Sequence, residues 1–151
     1  MTLEKIINFI LIDELTATAG QPAADQFKLI GEAGYKIVIN LAMPDSTDAL
    51  PQERHLVEDQ KMIYIHIPVV WEEPKVQDFE RFSQVMEENK GKKIFVHCAR
   101  NMRVSVFIYL YYLFKRDICP DLFYQNVLKI WEPNPVWQQF MQKVFEAQQA
   151  G

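Results

Sequence analysis

The run from Lys92 to Lys115 limits what this chain can fold into more than any other segment. Ile94, Phe95 and Val96 are apolar without a break, as in a strand buried on both faces of a sheet. His97 and Cys98 follow, then Ala99, Arg100, Asn101 and Met102, then Arg103. From Arg103 to Lys115 the residues are almost wholly apolar, which predicts a helix buried nearly all round. A strand that passes through a short loop into a buried helix belongs to a layered α/β domain. Such a turn also brings backbone N–H groups and a positive helix end to one point. An anion there is held by the loop and by the guanidinium of Arg103, which can bind two oxygens at once. The same field suits Cys98 as a nucleophile, because the attacking species is a thiolate. A buried cysteine that is only a small hydrophobe is common. That plainer description is assigned to Cys119, which precedes Pro120 at a helix start and has no such neighbours.

The remaining segments alternate between strand-like and helix-like patterns. Strands are predicted over Tyr35–Leu41, Met62–Ile67 and Lys92–His97. Helices are predicted over Pro22–Ala33, about Pro51–Gln60, Val76–Asn89, Arg103–Lys115, Pro120–Trp131 and after Asn134-Pro135. Pro22 suits a first turn, Gly34 a left-handed cap, and Asn134 an N-cap. In the Val76 helix, Val76, Phe79, Phe82, Val85 and Met86 share one face, and Gly91 closes it. Ile6–Ile12 reads as a short amphipathic helix, too short to span a bilayer, and the acids around it do not suit a secretion signal. The expectation is one domain over residues 1–151, with its core at about 15–145. Its class is α/β, with a central, mostly parallel sheet of roughly four to five strands flanked by helices.

The net charge of −4 argues against a nucleic-acid partner, which needs an excess of Lys and Arg. No membrane partner is expected either. With two cysteines, three histidines and no C-x-x-C pair, neither a disulfide framework nor a metal cofactor is expected. Free thiols suit a reducing cytoplasm. The stretch Phe107–Phe114 reads as core, or as core with part of a subunit contact. Trp131 and Trp137, which flank Glu132–Pro135, read as packing residues.

On these residues the chain resembles the protein tyrosine and dual-specificity phosphatase superfamily. More narrowly it resembles the bacterial β-lactamase-hydrolase-like phosphatase-like domains, through Ala19-Gly20-Gln21-Pro22, Val38-Ile39-Asn40-Leu41 and Tyr64-Ile65-His66-Ile67-Pro68-Val69. The resemblance implies a dual-specificity-phosphatase-like fold and a cofactor-free hydrolase. The implied substrate is a phosphorylated protein or a small phosphomonoester, and the implied intermediate is phosphocysteine. Cys98 is then the nucleophile, and Ala99, Arg100, Asn101, Met102 and Arg103 bind phosphate. Arg100 is expected to face solvent or substrate. His97 holds the loop, and Ser105 is placed to hydrogen-bond the Cys98 sulfur. The general acid belongs on the loop Val70–Lys75. Glu72, 26 residues before Cys98, is the first choice, ahead of Glu73 and Asp78.

The chain departs from the family pattern in four ways. The loop is one residue shorter than usual, Val104 stands at the usual arginine position, Asn101 stands where glycine is common, and the acid is Glu and not Asp. Two other functions accommodate these departures: a non-catalytic anion-binding module, and a rhodanese-type sulfurtransferase, whose loop has this shorter spacing.

Overall fold

The buried run Ile94–His97 forms the central strand of a five-stranded sheet. The computed structural model describes residues 2–150. A 3₁₀ turn at Leu3–Lys5 opens the chain, followed by β1 (Ile10–Leu11), β2 (Thr16–Ala19) and α1 (Gln26–Glu32). Next come β3 (Ile37–Asn40), α2 (Glu53–Asp59), β4 (Ile63–His66) and α3 (Val76–Glu88). β5 (Ile94–His97) leads into α4 (Met102–Lys115), and α5 (Pro120–Leu128) and α6 (Pro135–Ala150) complete the fold.

The strand order is β1-β2-β5-β3-β4, with β1 antiparallel to β2 and the other pairings parallel. Alternation along β5 explains its full burial. Ile94 and Val96 enter one core with Phe82, Phe107 and Trp137, beneath α3, α4 and α6. Phe95 points the other way, into a second core with Phe27, Ile30 and Val57 of α1 and α2. α4 runs through the larger core, with Val104, Val106, Phe107, Leu110 and Tyr111 each fully buried.

The expected α/β class and the three expected strands are present. Gly34, at φ +95°, takes the left-handed cap after α1. Asn134 Oδ1 accepts the Trp137 N–H at 3.0 Å and so caps α6. Two expectations for the N-terminal region need correction. Ile6–Ile12 is not a helix: the 3₁₀ turn ends at Lys5, Asn8 sits at φ +53°, and β1 follows. Ile6 contributes to the smaller core as a single side chain, 1% exposed. α1 begins at Gln26 and not at Pro22, because the Gln26 side chain turns back to accept the Ala23 N–H at 2.8 Å. β2 has no counterpart in the expected strands. Among the described residues, no helix is long and apolar enough to cross a membrane.

The register sets the site. Ala19, His97, Asn40 and His66 are aligned across β2, β5, β3 and β4. Four loops therefore leave the same edge of the sheet. The C-terminal edge of parallel strands is where open α/β sheets bind their ligands.

Candidate active site

Cys98 stands directly after β5 at that edge and is 1% exposed. It lies in a cavity of about 170 Å³ walled by Trp71, Ala99, Arg100, Met102 and Arg103. The loop is held from behind. The Leu41 N–H donates to His97 O at 2.9 Å, and Gln21 N–H to Ala99 O at 3.0 Å. Asn8 Nδ2 donates to Arg100 O at 3.0 Å, Ser105 N–H to Asn101 O at 2.9 Å, and Ser105 Oγ to Met102 O at 2.6 Å. The loop carbonyls and the Cys98 N–H, which donates to Ala19 O at 3.4 Å, are thus tied to the surrounding chain. The loop leads into the N-terminus of α4, and a helix N-terminus is a favourable place for an anion.

Asn101 lets the shortened loop turn. Its φ of +67° and ψ of +4° are left-handed, a region that Asn tolerates better than most side chains. Helix α4 then places neighbouring residues on opposite duties. Val104, at the usual arginine position, is fully buried in the core, while Arg103 reaches the cavity. Arg103 Nη1 donates to Val69 O at 3.0 Å, and Nη2 to Ser46 Oγ at 3.5 Å. Its guanidinium lies 5.9 Å from the Trp71 ring centroid. A guanidinium has five N–H donors in a planar fork, so these contacts leave donors for an anion. One side chain thus links the Cys98 loop to the loops after β3 and β4.

His97 is fully buried behind Cys98, its Nδ1 3.2 Å from Cys98 O and its Nε2 2.6 Å from Glu53 Oε2. Both ring nitrogens face oxygen acceptors. The ring is thereby held between the Cys98 carbonyl and the Glu53 carboxyl group. Gln21 Nε2 donates to Glu53 Oε1 at 2.8 Å and closes the network. The supporting position expected of His97 thus has a partner that the sequence reading missed.

A second cavity, of about 360 Å³, adjoins the first and shares Trp71, Ala99 and Arg103 with it. Asp45, Ser46, Thr47 and Glu72 also line it. Glu72 is exposed on the loop after β4, next to Trp71. The other two expected acids have different partners. Glu73 approaches Lys75 at 3.9 Å. Asp78 accepts the Lys75 N–H at 3.2 Å in a capping box at the start of α3. Burial pushes the Asp78 carboxyl above its ordinary range, against the lowering effect of that hydrogen bond.

Ser105 does not point its proton at the Cys98 sulfur. Its Oγ donates to Met102 O and accepts the Trp131 indole N–H at 3.0 Å. Cys119, expected as a buried small hydrophobe, is exposed at the start of α5, away from the cavity. Among the described residues, no three His, Cys, Asp or Glu side chains gather in a way that could hold a metal ion. The sequence reading also missed Asp45 and Ser46, in a loop read only as a connection, and Asn8, whose role depends on a contact 92 residues along the chain.

Comparison with known proteins bears on the family and the fold. The family model described as DSP-PTPase phosphatase fused to NAD+ kinase matches residues 13–112. No curated protein matches the chain. A DUF442 candidate phosphatase from Shewanella putrefaciens CN-32 superposes with a TM-score of 0.85 at 35% identity, covering 96% of this chain and 95% of that one. PTPMT1 in complex with PI(5)P gives a TM-score of 0.78 at 13% identity, covering 94% and 97% of the two chains. The core catalytic domain of the PP-IP phosphatase SIW14 from S. cerevisiae, in complex with citrate, gives 0.75 at 15%, covering 91% and 85%. The last two likenesses concern the fold alone. By the family match and the Shewanella relative, the chain belongs to the family of the DSP-PTPase phosphatase fused to NAD+ kinase, within the protein tyrosine and dual-specificity phosphatase superfamily.

Proposed function

We propose that this protein is a cysteine-dependent phosphatase acting on a small phosphomonoester or a phosphorylated side chain. The observation that carries the proposal is the position of Cys98 in a cavity walled by its own loop and by Arg103. The Cys98 thiolate attacks phosphorus, so that an S–P bond forms as the ester P–O bond breaks. Arg103 and the loop N–H groups hold the remaining phosphoryl oxygens, whose charge they balance through both steps. Glu72 gives its proton to the departing oxygen and, as a carboxylate, then takes one from the attacking water. That water breaks the S–P bond and releases inorganic phosphate and the thiolate.

The outer cavity bears on the substrate. Asp45 and Glu72 line it beside Arg103. The acidic side chain of Asp45 at the mouth disfavours additional phosphates and suits a leaving group with little negative charge. The expected order of kcat/KM is therefore an aryl or alkyl monophosphate above an inositol polyphosphate.

The test is phosphate release from a small aryl phosphate over about pH 5 to 8, a window that brackets acid–base turnover, with Cys98→Ser alongside. Release that depends on Cys98 supports the proposal. No release, with orthovanadate still raising the melting temperature, would turn the reading to a non-catalytic anion-binding module. Turnover of thiosulfate, with a persulfide on Cys98, would turn it to a sulfurtransferase.

A further inference from the structure

We infer that the N-terminal segment around Asn8 is a clamp on the phosphate loop, with Asn8 and Asn101 as positioning residues for it. This inference rests on the phosphatase reading of the Cys98 loop. The two asparagines make reciprocal bonds. Asn8 Nδ2 donates to Arg100 O at 3.0 Å, and Asn101 Nδ2 donates to Asn8 O at 2.8 Å. Asn101 Nδ2 also reaches Thr18 Oγ1 of β2 at 3.1 Å. Both residues are left-handed, at φ +53° and +67°, and each turn presents its amide to the other segment.

The surrounding backbone closes the same seam. Gly20 N–H donates to Ile7 O at 2.7 Å, and Gly20 forms an antiparallel bridge with Arg100. A Cβ on Gly20 would stand 2.6 Å from Ala99 O and 2.7 Å from Ile7 Cγ2, so only glycine permits this approach. Chain from three regions, residues 7–8, 18–20 and 99–101, is therefore packed behind the loop.

The choice of Asn at position 101 points to the clamp. Glycine would take the same turn without strain. Asn101 is fully buried, and its Oδ1 is the buried side-chain oxygen without a partner among the described residues. A stranded acceptor of this kind is unfavourable. What Asn supplies that glycine cannot is the Nδ2 donor to Asn8 and Thr18. The amide thus holds the loop's turn to the N-terminal segment, and through the loop it sets where the N–H groups aim.

The experiment compares wild type, Asn101→Gly and Asn8→Gly in the full chain. Asn101→Gly keeps the left-handed turn and removes both amide bonds. Asn8→Gly keeps its own turn and the carbonyl that accepts from Asn101, and removes only the donor to Arg100 O. The expected result for Asn101→Gly is a loss of about tenfold to a hundredfold in kcat/KM for aryl phosphate, the scale of a small misplacement of reacting groups. Asn8→Gly is expected to lose less. In both variants orthovanadate should raise the melting temperature by less than in wild type. A purely structural role would lower the melting temperature but leave kcat/KM per folded molecule and the vanadate shift unchanged, and that result would overturn the inference. So would variants whose kinetics and vanadate shift match wild type. A wild type without Cys98-dependent release would remove the phosphatase reading, while the vanadate shifts would still decide the clamp. A wild type that neither releases phosphate nor binds vanadate would overturn both.

Discussion

Trp137 donates its indole N–H to the carbonyl oxygen of Trp71 at 3.0 Å, so the last helix holds the residue next to Glu72. Trp137 is fully buried, and its ring lies 5.7 Å from that of Trp71 and 6.2 Å from that of Trp131. Trp71 in turn forms part of the cavity wall beside Arg103. The position of the loop after β4 is thus set by an aromatic cluster that reaches from α6 to the cavity wall. Trp137→Phe keeps most of the packing and strands the Trp71 carbonyl. The expected cost is about 1–3 kcal/mol in stability, the scale of an unsatisfied buried polar group, measured by denaturant unfolding. Turnover of alkyl phosphates, which need the proton, should fall more than turnover of activated aryl phosphates. Equal losses for both substrates would detach the tryptophan from the acid.

Glu72→Gln tests the acid itself. With an alkyl phosphate the expected loss in kcat is about 10²- to 10⁴-fold, the usual contribution of general acid–base catalysis. With an aryl phosphate whose leaving group needs no proton, the loss should be far smaller. Asp45→Asn belongs in the same experiment, because Asp45 lines the same outer cavity. If Asp45→Asn shows the leaving-group dependence and Glu72→Gln does not, the proton comes from the loop after β3.

The Cys98 loop was legible because its determinants are local. A buried strand, a turn and a buried helix follow one another within Ile94–Lys115, and each is specified by its own residues. β2 was not, since Thr-Ala-Thr-Ala has no apolar run and is a strand only because it pairs with Ile94–His97. The expected helix at Ile6–Ile12 failed for a related reason. Its apolar residues serve different neighbours: Ile6 enters the smaller core and Ile10 pairs with Thr18. Periodicity cannot separate those cases in so short a run. Glu53 gave no signal, because an acid in the first turn of a helix usually faces water. Only the fold brings it to His97, 44 residues away.

That Glu53–His97 contact predicts a large penalty for removing one partner. The side chains are 3% and 0% exposed. Glu53→Ala leaves the Gln21 amide and the His97 ring without their partner. Each buried polar group left unsatisfied costs about 1–3 kcal/mol. Glu53→Gln keeps the volume and one acceptor oxygen, so it should lose clearly less. Denaturant unfolding of the two variants is the measurement, and equal losses would show that packing volume, and not the network, is what Glu53 supplies.

The Tyr111 hydroxyl donates to Glu87 and holds that carboxyl below its ordinary range, with Lys90 and Arg116 nearby adding to the effect. A carboxyl lowered in the folded state adds stability above its unfolded value, near pH 4.5, and loses it as pH falls through the folded value. The phenol shifts the other way, pushed up first by burial and then by Glu87. Its contribution is complete below its ordinary value near pH 10 and is lost as pH rises through the folded one. Tyr111→Phe should therefore lower the melting temperature at pH 7 by about 2–4 °C, the effect of one hydrogen bond in a domain of this size. The gap to wild type should narrow below about pH 4, as Glu87 protonates, and again above about pH 10, where the unfolded phenol ionises before the folded one. Lys90 and Arg116, which approach Glu87 at 3.3 and 3.4 Å in wild type, are retained in the variant, so both proteins should lose stability in acid. A gap that stays constant from acid to alkaline pH would mean that the hydroxyl contributes through packing alone.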